Sequence, residues 1–414
     1  MAFPTAWDQK TFEDGGAFGG RFEVELKRPF DHECRWDFDV LGYIEEQVRA
    51  GDPPDGVFSS SDYPGATIAG AIATRLGLPG SRPENIIGSS HKYYSRIAQR
   101  EAAPEATPWF QLVDPKLRRG GVQELHFPCF IKPVKGAFSV MSRRLDSWDD
   151  LEAFLSKPSV AEFLTHYVFM FNRLVRGLSD FELAGAYFIA EDLLHGRQVT
   201  VEGFATGDSV EILGIVDSVR HAGTRSFVRF DYPSSLSRRI QARMQEVAVS
   251  VVRRLGLKHT LFNIEMVYDV RRDRVFIIEV NPRMCGQFAD LYEKVDGRSS
   301  YELALGLAVG EHPEVERART EYRVASSFPL RIFEPARVVE GPSSEQIAEI
   351  EHRFEGTRIW PETAKGDLLE DFESLEDGRS FRYAVVNVGA RDRDRLFQKF
   401  EEVKRALGYR FEEL

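Results

Sequence analysis

The sequence predicts an α/β protein with an α+β centre, and three stretches carry that expectation. From Trp36 the chain continues DFDVLGYIEEQVRAGDPPDGVFSSSDYPGATIAGAIATRLGLPG. This alternation of helix, turn, short strand, polar loop and helix suggests a domain with a largely parallel sheet. The segment GAYFIAEDLLHGRQVTVEGFATGDSVEILGIVDSV reads as successive strands broken at HGR and TGD. Leu261 to Arg283, LFNIEMVYDVRRDRVFIIEVNPR, reads as a β-hairpin with a charged turn at roughly residues 269–274.

Taken in order, the run EDGGAFGGRF is rich in glycine, but no apolar strand precedes it and no G-K-[ST] follows. It therefore reads as a flexible lead-in and not as a phosphate loop. Ile68, Ile72 and Leu76 recur one turn apart and Gly77 follows as a stop, which predicts a helix. Ser59, Ser60, Ser61 and Asp62 fall where ligands sit in parallel sheets, at the carboxyl end of a strand. They are equally ordinary turn and cap residues. GSSHKYYSRIAQR predicts a helix that places Lys92 and Arg96 four apart on one face. In the strand PCFIKPV, Phe130, Lys132 and Val134 share a face. A lysine there is costly unless its ammonium meets a partner. The residues KGAFS, 135–139, then form a short loop able to fold over a phosphate through backbone N–H groups.

Ser147 with Asp150 three residues on predicts a capped helix start. Ile240, Met244, Val247, Val251 and Leu255 mark an amphipathic core helix over residues 237–255, ended by Gly256. SYELALGLAVG predicts a further helix. Beyond Glu311 the chain supplies the strands YRVASSFPL and FRYAVVNVG and a final helix marked by Leu396, Phe397, Phe400, Val403 and Leu407. These residues are expected to form a distinct lobe packed on the hairpin domain. The three segments predicted are 1–90, an N-terminal α/β domain; 91–310, divided into 91–195 and 196–310; and 311–414, a C-terminal α/β lobe.

The hairpin concentrates the chemistry. Strand side chains alternate faces, so Asn263, Glu265 and Val267 share one face and Ile277, Glu279 and Asn281 share one face of the partner strand. Phe262, Ile264, Met266, Ile278 and Val280 then point to a core. If Glu265 pairs with Glu279, Asn263 falls opposite Asn281, and two carboxylates meet between two amides. Like charges directly opposite destabilise a sheet, and a hard oxygen-seeking cation such as Mg2+ removes that repulsion. The alternative is a solvated sheet face with the carboxylates apart.

Composition limits the partners. With 54 basic against 65 acidic residues the chain carries a formal charge of −11, which argues against nucleic acid or an anionic membrane as the main partner. No apolar run approaches membrane-spanning length, and the start MAFPTAWDQK lacks the plan of a signal peptide. A soluble cytoplasmic protein is expected. Cys34, Cys129 and Cys285 are isolated, as suits reduced thiols better than disulfides or a zinc site.

The order of these pieces resembles the ATP-grasp superfamily over roughly residues 36 to 310: a lysine-bearing helix, a strand ending K-P, a small-residue loop, an acidic hinge and the run E-x-N-P-R. The nearest likeness is to carboxylate–amine ligases that join amino acids, with residues 1–90 similar to the parallel-sheet domain that precedes the grasp. The resemblance implies ATP and Mg2+ as cofactors. It matches Lys92 and Lys132 to phosphate-binding lysines, the loop from Lys135 to Ser139 to the mobile phosphate loop, and Glu191 and Leu194 to the adenine hinge. Gln198 stands where the family commonly has a ribose-binding Glu, and the loop holds Gly136 alone where relatives are richer in glycine. Glu265, Glu279 and Asn281 match the metal ligands, and Arg283, with Lys132, the catalytic cations. The implied partners are small carboxylate and amine substrates, with room for a homodimer. Two other readings share the motif: a carboxylase that uses bicarbonate as the acid, although no A-M-K-M biotin carrier motif occurs in the chain, and an ATP-binding regulatory protein without turnover. Arg220, Arg225 and Arg229 are either holders of a substrate anion or surface charges.

Overall fold

The computed structural model describes residues 1–13, 20–27, 38–119, 125–136, 140–314, 318, 320–370 and 380–414. Its centre is an eight-stranded antiparallel sheet. In spatial order the strands are Thr357–Pro361, Phe381–Ala390, Val324–Ile332, Phe227–Tyr232, Val210–Arg220, Arg197–Ala205, Thr260–Asp269 and Arg274–Asn281. The predicted hairpin is thus an edge of the sheet, and its turn spans residues 270–273.

Both faces of this sheet are covered, which explains its near-continuous apolar strands. On one face lies the helix Arg238–Leu255, whose Met244, Val247 and Val251 pack on Val199, Val201, Ile264, Met266 and Ile277. It ends where predicted, with Gly256 in the left-handed region at φ +69°. On the other face, the helices Gly286–Asp296 and Ser300–Ala308 bury Phe288, Leu291 and Leu307 against Phe204, Val216 and Leu261.

A second antiparallel sheet runs Phe110–Val113, Phe188–Glu191, Cys129–Pro133, Arg143–Leu145. The helix Trp148–Leu155 packs Leu151 and Phe154 on its Val113, Ile131 and Phe188. Ser147 caps that helix as predicted, accepting the Asp150 N–H at 3.2 Å.

Three expectations are corrected. The N-terminal segment has helices where predicted, at Val40–Arg49, Gly65–Leu76 and Pro83–Ser90, but no parallel sheet forms among its described residues. What remains is one parallel bridge, Ala2 to Lys27, with the Ala2 N–H donated to the Phe58 carbonyl at 2.9 Å. The run around Val57 is short and follows Pro53 and Pro54, which lack donors, and the hydrophobic side chains nearby serve helix packing instead, as Ile44, Ile68 and Ile72 join Met170 and Leu174.

The C-terminal segment is not a sheet of its own packed on the hairpin domain. Val324–Ile332 pairs directly with Phe227–Tyr232, with Ala325 opposite Tyr232, so three of its strands prolong the central sheet. A separate small sheet, Leu368–Leu369, Ala336–Glu340, Arg410–Glu413, closes this end.

The third correction is local. The hairpin carries a β-bulge, because Glu265 pairs with Glu279 while Met266 pairs with Ile277, which leaves Ile278 as the extra residue. Ile277 therefore turns into the core and Ile278 does not. No described helix is long and apolar enough to cross a membrane. Cys129 and Cys285 are free thiols; Cys34, the run at 14–19 and Ser139 lie outside the described residues.

Candidate active site

The pairing on which the metal-site reading is conditional is present: Glu265 stands opposite Glu279 and Asn263 opposite Asn281. Burial and then the Glu279 charge push the Glu265 carboxyl up. Burial alone would also raise Glu279, but Lys92 and then Lys132 outweigh it and hold Glu279 down. One carboxylate of the pair is charged and the other is inclined to keep its proton. The Lys92 ammonium stands 3.2 Å from Glu279 and donates to the Gly136 carbonyl at 2.8 Å.

Behind this pair lies a buried clasp. The Lys132 ammonium, predicted to need a partner, pairs with Glu191 at 2.9 Å and donates to the Ile278 carbonyl at 3.1 Å. Arg96 pairs with the other Glu191 oxygen at 2.7 Å and donates to the same Ile278 carbonyl at 2.7 Å. The bulge thus exposes a carbonyl that two cations share, and through Glu191 they join the edge of one sheet to the other. Burial would raise Glu191, but Arg96 and Lys132 bring it down to about 2.

Around the clasp, several predicted residues are engaged within the protein. Both Glu191 oxygens are taken. Gln198 donates its amide N–H to Glu265 at 2.8 Å and accepts from Arg220. Lys135 does not reach out from its loop: its ammonium is buried against Asp62 at 2.9 Å and over the Tyr63 and Phe171 rings. Leu194 is half-buried between the second sheet and the strand Arg197–Ala205. Arg225 donates to the Ser142 carbonyl at 2.8 Å and Arg229 pairs with Asp231 at 2.9 Å. Arg283 is half-buried, with one long hydrogen bond to the Met284 carbonyl at 3.4 Å and no ion pair among the described residues.

Two residues that the structure brings to the site, Arg96 and Glu202, have no role assigned from the sequence, and a third, Asp62, has two. Arg96 was placed on the Lys92 face without a task. Asp62 was left open between turn and ligand; burial would raise it, but Lys135 and Arg283 lower it to about 2. Glu202 was not singled out, yet it is 2% exposed and its carboxyl is pushed up to about 7, mainly by burial. The signal was available. A carboxylate in the apolar strand VTVEGF raises the same cost as Lys132 in PCFIKPV.

Among the described residues no three His, Cys, Asp or Glu side chains gather as a metal-ligand set. The hairpin instead offers two carboxylates and the Asn281 amide, an all-oxygen donor set that suits a hard cation. The opposed carboxylates are the observation that fits such an ion, since a cation between them offsets both the burial and the Glu279 charge that raise Glu265.

Residues 125–290 match the family model described as "ATP-grasp domain". Over those residues the chain is similar to ATP-grasp domains. The match spans Lys132, Glu191 and the whole hairpin, and stops short of the C-terminal strands. Solved structures share the ATP-grasp fold at low identity. An L-amino acid ligase from Bacillus licheniformis is 16% identical with a TM-score of 0.71, over 94% of this chain and 88% of that one. A phosphoribosylglycinamide synthetase from Anaerococcus prevotii is 14% identical, TM-score 0.61, over 94% and 88%. A biotin carboxylase from Campylobacter jejuni is 15% identical, TM-score 0.59, over 91% and 79%. In ATP-grasp terms, the clasp ties the sheet of Lys132 and Glu191 to the hairpin.

Proposed function

We propose that this chain is an ATP-dependent ligase that joins a small carboxylic acid to an amine, both of them amino acids, through an acyl phosphate, releasing ADP and phosphate. The observation that carries this reading is the opposed pair Glu265 and Glu279, flanked by Asn281 and Lys92, with the Arg283 charge acting on Glu265 and Arg283 in no ion pair among the described residues. In this reading Glu265, Glu279 and Asn281 hold Mg2+, and Lys92 and Lys132 meet the phosphates of ATP. Bound Mg2+ supplies charge neutralisation and polarises phosphate oxygens.

The chain's own residues do the rest. Lys92 and Lys132 neutralise phosphate charge and fix its position. Arg283 stabilises negative charge that develops at the reacting carboxyl group. In the same reading Lys135, Glu191, Leu194 and Gln198 line the nucleotide, and Lys135, Glu191 and Gln198 exchange the partners described above to do so; Ser139, the remaining expected nucleotide contact, lies outside the described residues. A cytoplasmic setting suits the free Cys129 and Cys285.

The test is ADP release over paired acids and amines, with mass spectrometry of the product and hydroxylamine added to trap the acyl phosphate as a hydroxamate. AMP in place of ADP would overturn the mechanism. ADP release that needs bicarbonate and no amine would make the chain a carboxylase. Mg-ATP binding with no turnover in a broad screen would make it a nucleotide-binding regulator.

A further inference from the structure

Glu202, Asn263 and Asn281 lie side by side in one row across three neighbouring strands: Glu202 is opposite Asn263, and Asn263 is opposite Asn281. All three are buried, at 2%, 4% and 8% exposure. The Asn281 amide nitrogen lies 3.3 Å from Asn263 Oδ1, the Asn263 amide nitrogen 3.2 Å from Glu202 Oε1, and the Cys285 backbone nitrogen 3.0 Å from that same Oε1.

The direction of this row follows from its end. A backbone N–H can only donate, so Glu202 Oε1 accepts from Cys285. As a carboxylate, Glu202 has no proton to give, so the Asn263 group facing the same oxygen is its NH2, as observed; a second acceptor there would be repelled. That turns the Asn263 carbonyl oxygen toward Asn281, where it can accept only from the Asn281 NH2. The Asn281 carbonyl oxygen is left over and faces away from the row. A hard divalent cation accepts oxygen donors and is repelled by an amide NH2. Were the row reversed, Asn281 would present the wrong end.

We infer that Glu202 is a positioning residue that determines, through Asn263, which end of the Asn281 amide meets the cation. The inference rests on the function proposed above, in which Asn281 is a ligand. Glu202 touches no substrate in this scheme. It sets the polarity of a chain of amides whose far end is the ligand.

The experiment measures binding of Mn2+ in the presence of ADP, by the loss of the free-ion electron paramagnetic resonance signal, with thermal melting as the check on folding. Glu202→Gln keeps an Oε1 acceptor and is expected to bind within about threefold of wild type. Glu202→Leu removes the acceptor and should weaken binding tenfold or more. Asn263→Ala cuts the row in the middle while sparing the Cys285 contact, and should give a similar loss; it serves where Glu202→Leu does not fold.

The decisive comparison uses Asn281→Asp, since a carboxylate presents oxygen at either end and needs no orientation. With Glu202 in place, Asp at 281 faces the Asn263 carbonyl oxygen. In Glu202→Leu, Asn263 is free to turn and donate to it. The gain in Mn2+ affinity from Asn281→Asp should therefore be at least tenfold larger in Glu202→Leu than in wild type. Equal gains in both backgrounds, or wild-type affinity in folded Glu202→Leu or Asn263→Ala, would overturn the inference and leave the proposed function standing. If the wild-type protein binds no Mn2+ with ADP, the proposed function fails and takes this inference with it.

Discussion

Glu191 is a single carboxylate held between two buried cations, and its removal does not merely subtract two ion pairs. In Glu191→Gln, Arg96 and Lys132 would both stay buried without the carboxylate they share, so the expected loss is about 3–5 kcal/mol, read as a lower urea midpoint near neutral pH. The pH dependence has a definite sign. Glu191 titrates near 4.5 when unfolded and about 2 when folded, so the folded state favours its charged form. Its stabilisation is complete above about pH 4.5 and is lost as pH falls toward 2. The stability gap between wild type and Glu191→Gln should thus narrow over that interval; a gap constant from pH 6 to pH 3 would mean the pair is not what lowers the carboxyl. At Arg283 the expectation is different. Arg283→Ala should bind Mg-ATP nearly as well as wild type but form product at least about a hundredfold more slowly, as for a contact made in the transition state. Steady-state kinetics alongside nucleotide titration separates the two effects.

Among the elements, the strand Arg197–Ala205 meets the hairpin at Gly196, which has φ +142° and where a Cβ would lie 2.1 Å from the Tyr268 carbonyl oxygen. Gly223 also has positive φ, +74°, but nothing lies within 4 Å of a Cβ there. Gly223→Ala should cost about 1–2 kcal/mol for its backbone alone. Gly196→Ala adds a steric clash and should cost clearly more, measured as the difference in melting temperature. The hairpin itself shows what could be read beforehand. The pairing of Glu265 with Glu279 stood only as a condition, because like charges directly opposite disfavour it without a cation, while the faces of its residues followed from strict alternation. The bulge did not, because counting by twos assumes no extra residue, and Ile277 and Ile278 are both isoleucine. Lys132 announced its need for a counter-charge by sitting in an apolar strand. The identity of that counter-charge, Glu191, depended on pairing across the sheet between residues far apart in the chain, which no local pattern encodes.

Across the whole molecule, the central sheet runs without interruption from the C-terminal strands to the hairpin that carries Glu265 and Glu279. The strands after residue 310 were legible as strands, but their membership of this sheet was not, since it rests on the long-range pairing of Ser326 with Asp231. Ser326 also donates its hydroxyl to the Asp231 carboxylate at 2.7 Å. A chain ending at residue 310 would leave Phe227–Tyr232 as an open edge, with Ala325 and Phe328 gone from the two cores they join. Such an edge invites pairing with other chains, so the truncated protein is expected to aggregate, where sedimentation of the full chain gives a discrete species.

The contact between Lys92 and Glu279 has a thermodynamic consequence for the proposed enzyme. Before any ligand arrives, the protein's own ammonium already occupies the carboxylate that the divalent ion needs, so metal entry must release Lys92. The released ammonium is then the charge that a phosphate requires, and a phosphate that draws Lys92 away frees Glu279 in turn. Each ligand thereby removes an internal competitor of the other. Metal and nucleotide should bind with positive cooperativity, and the factor by which Mn2+ tightens ADP must equal the factor by which ADP tightens Mn2+. In Lys92→Met the competitor is gone: Mn2+ alone should bind more tightly than to wild type, and separate calorimetric titrations should find the cooperativity much reduced.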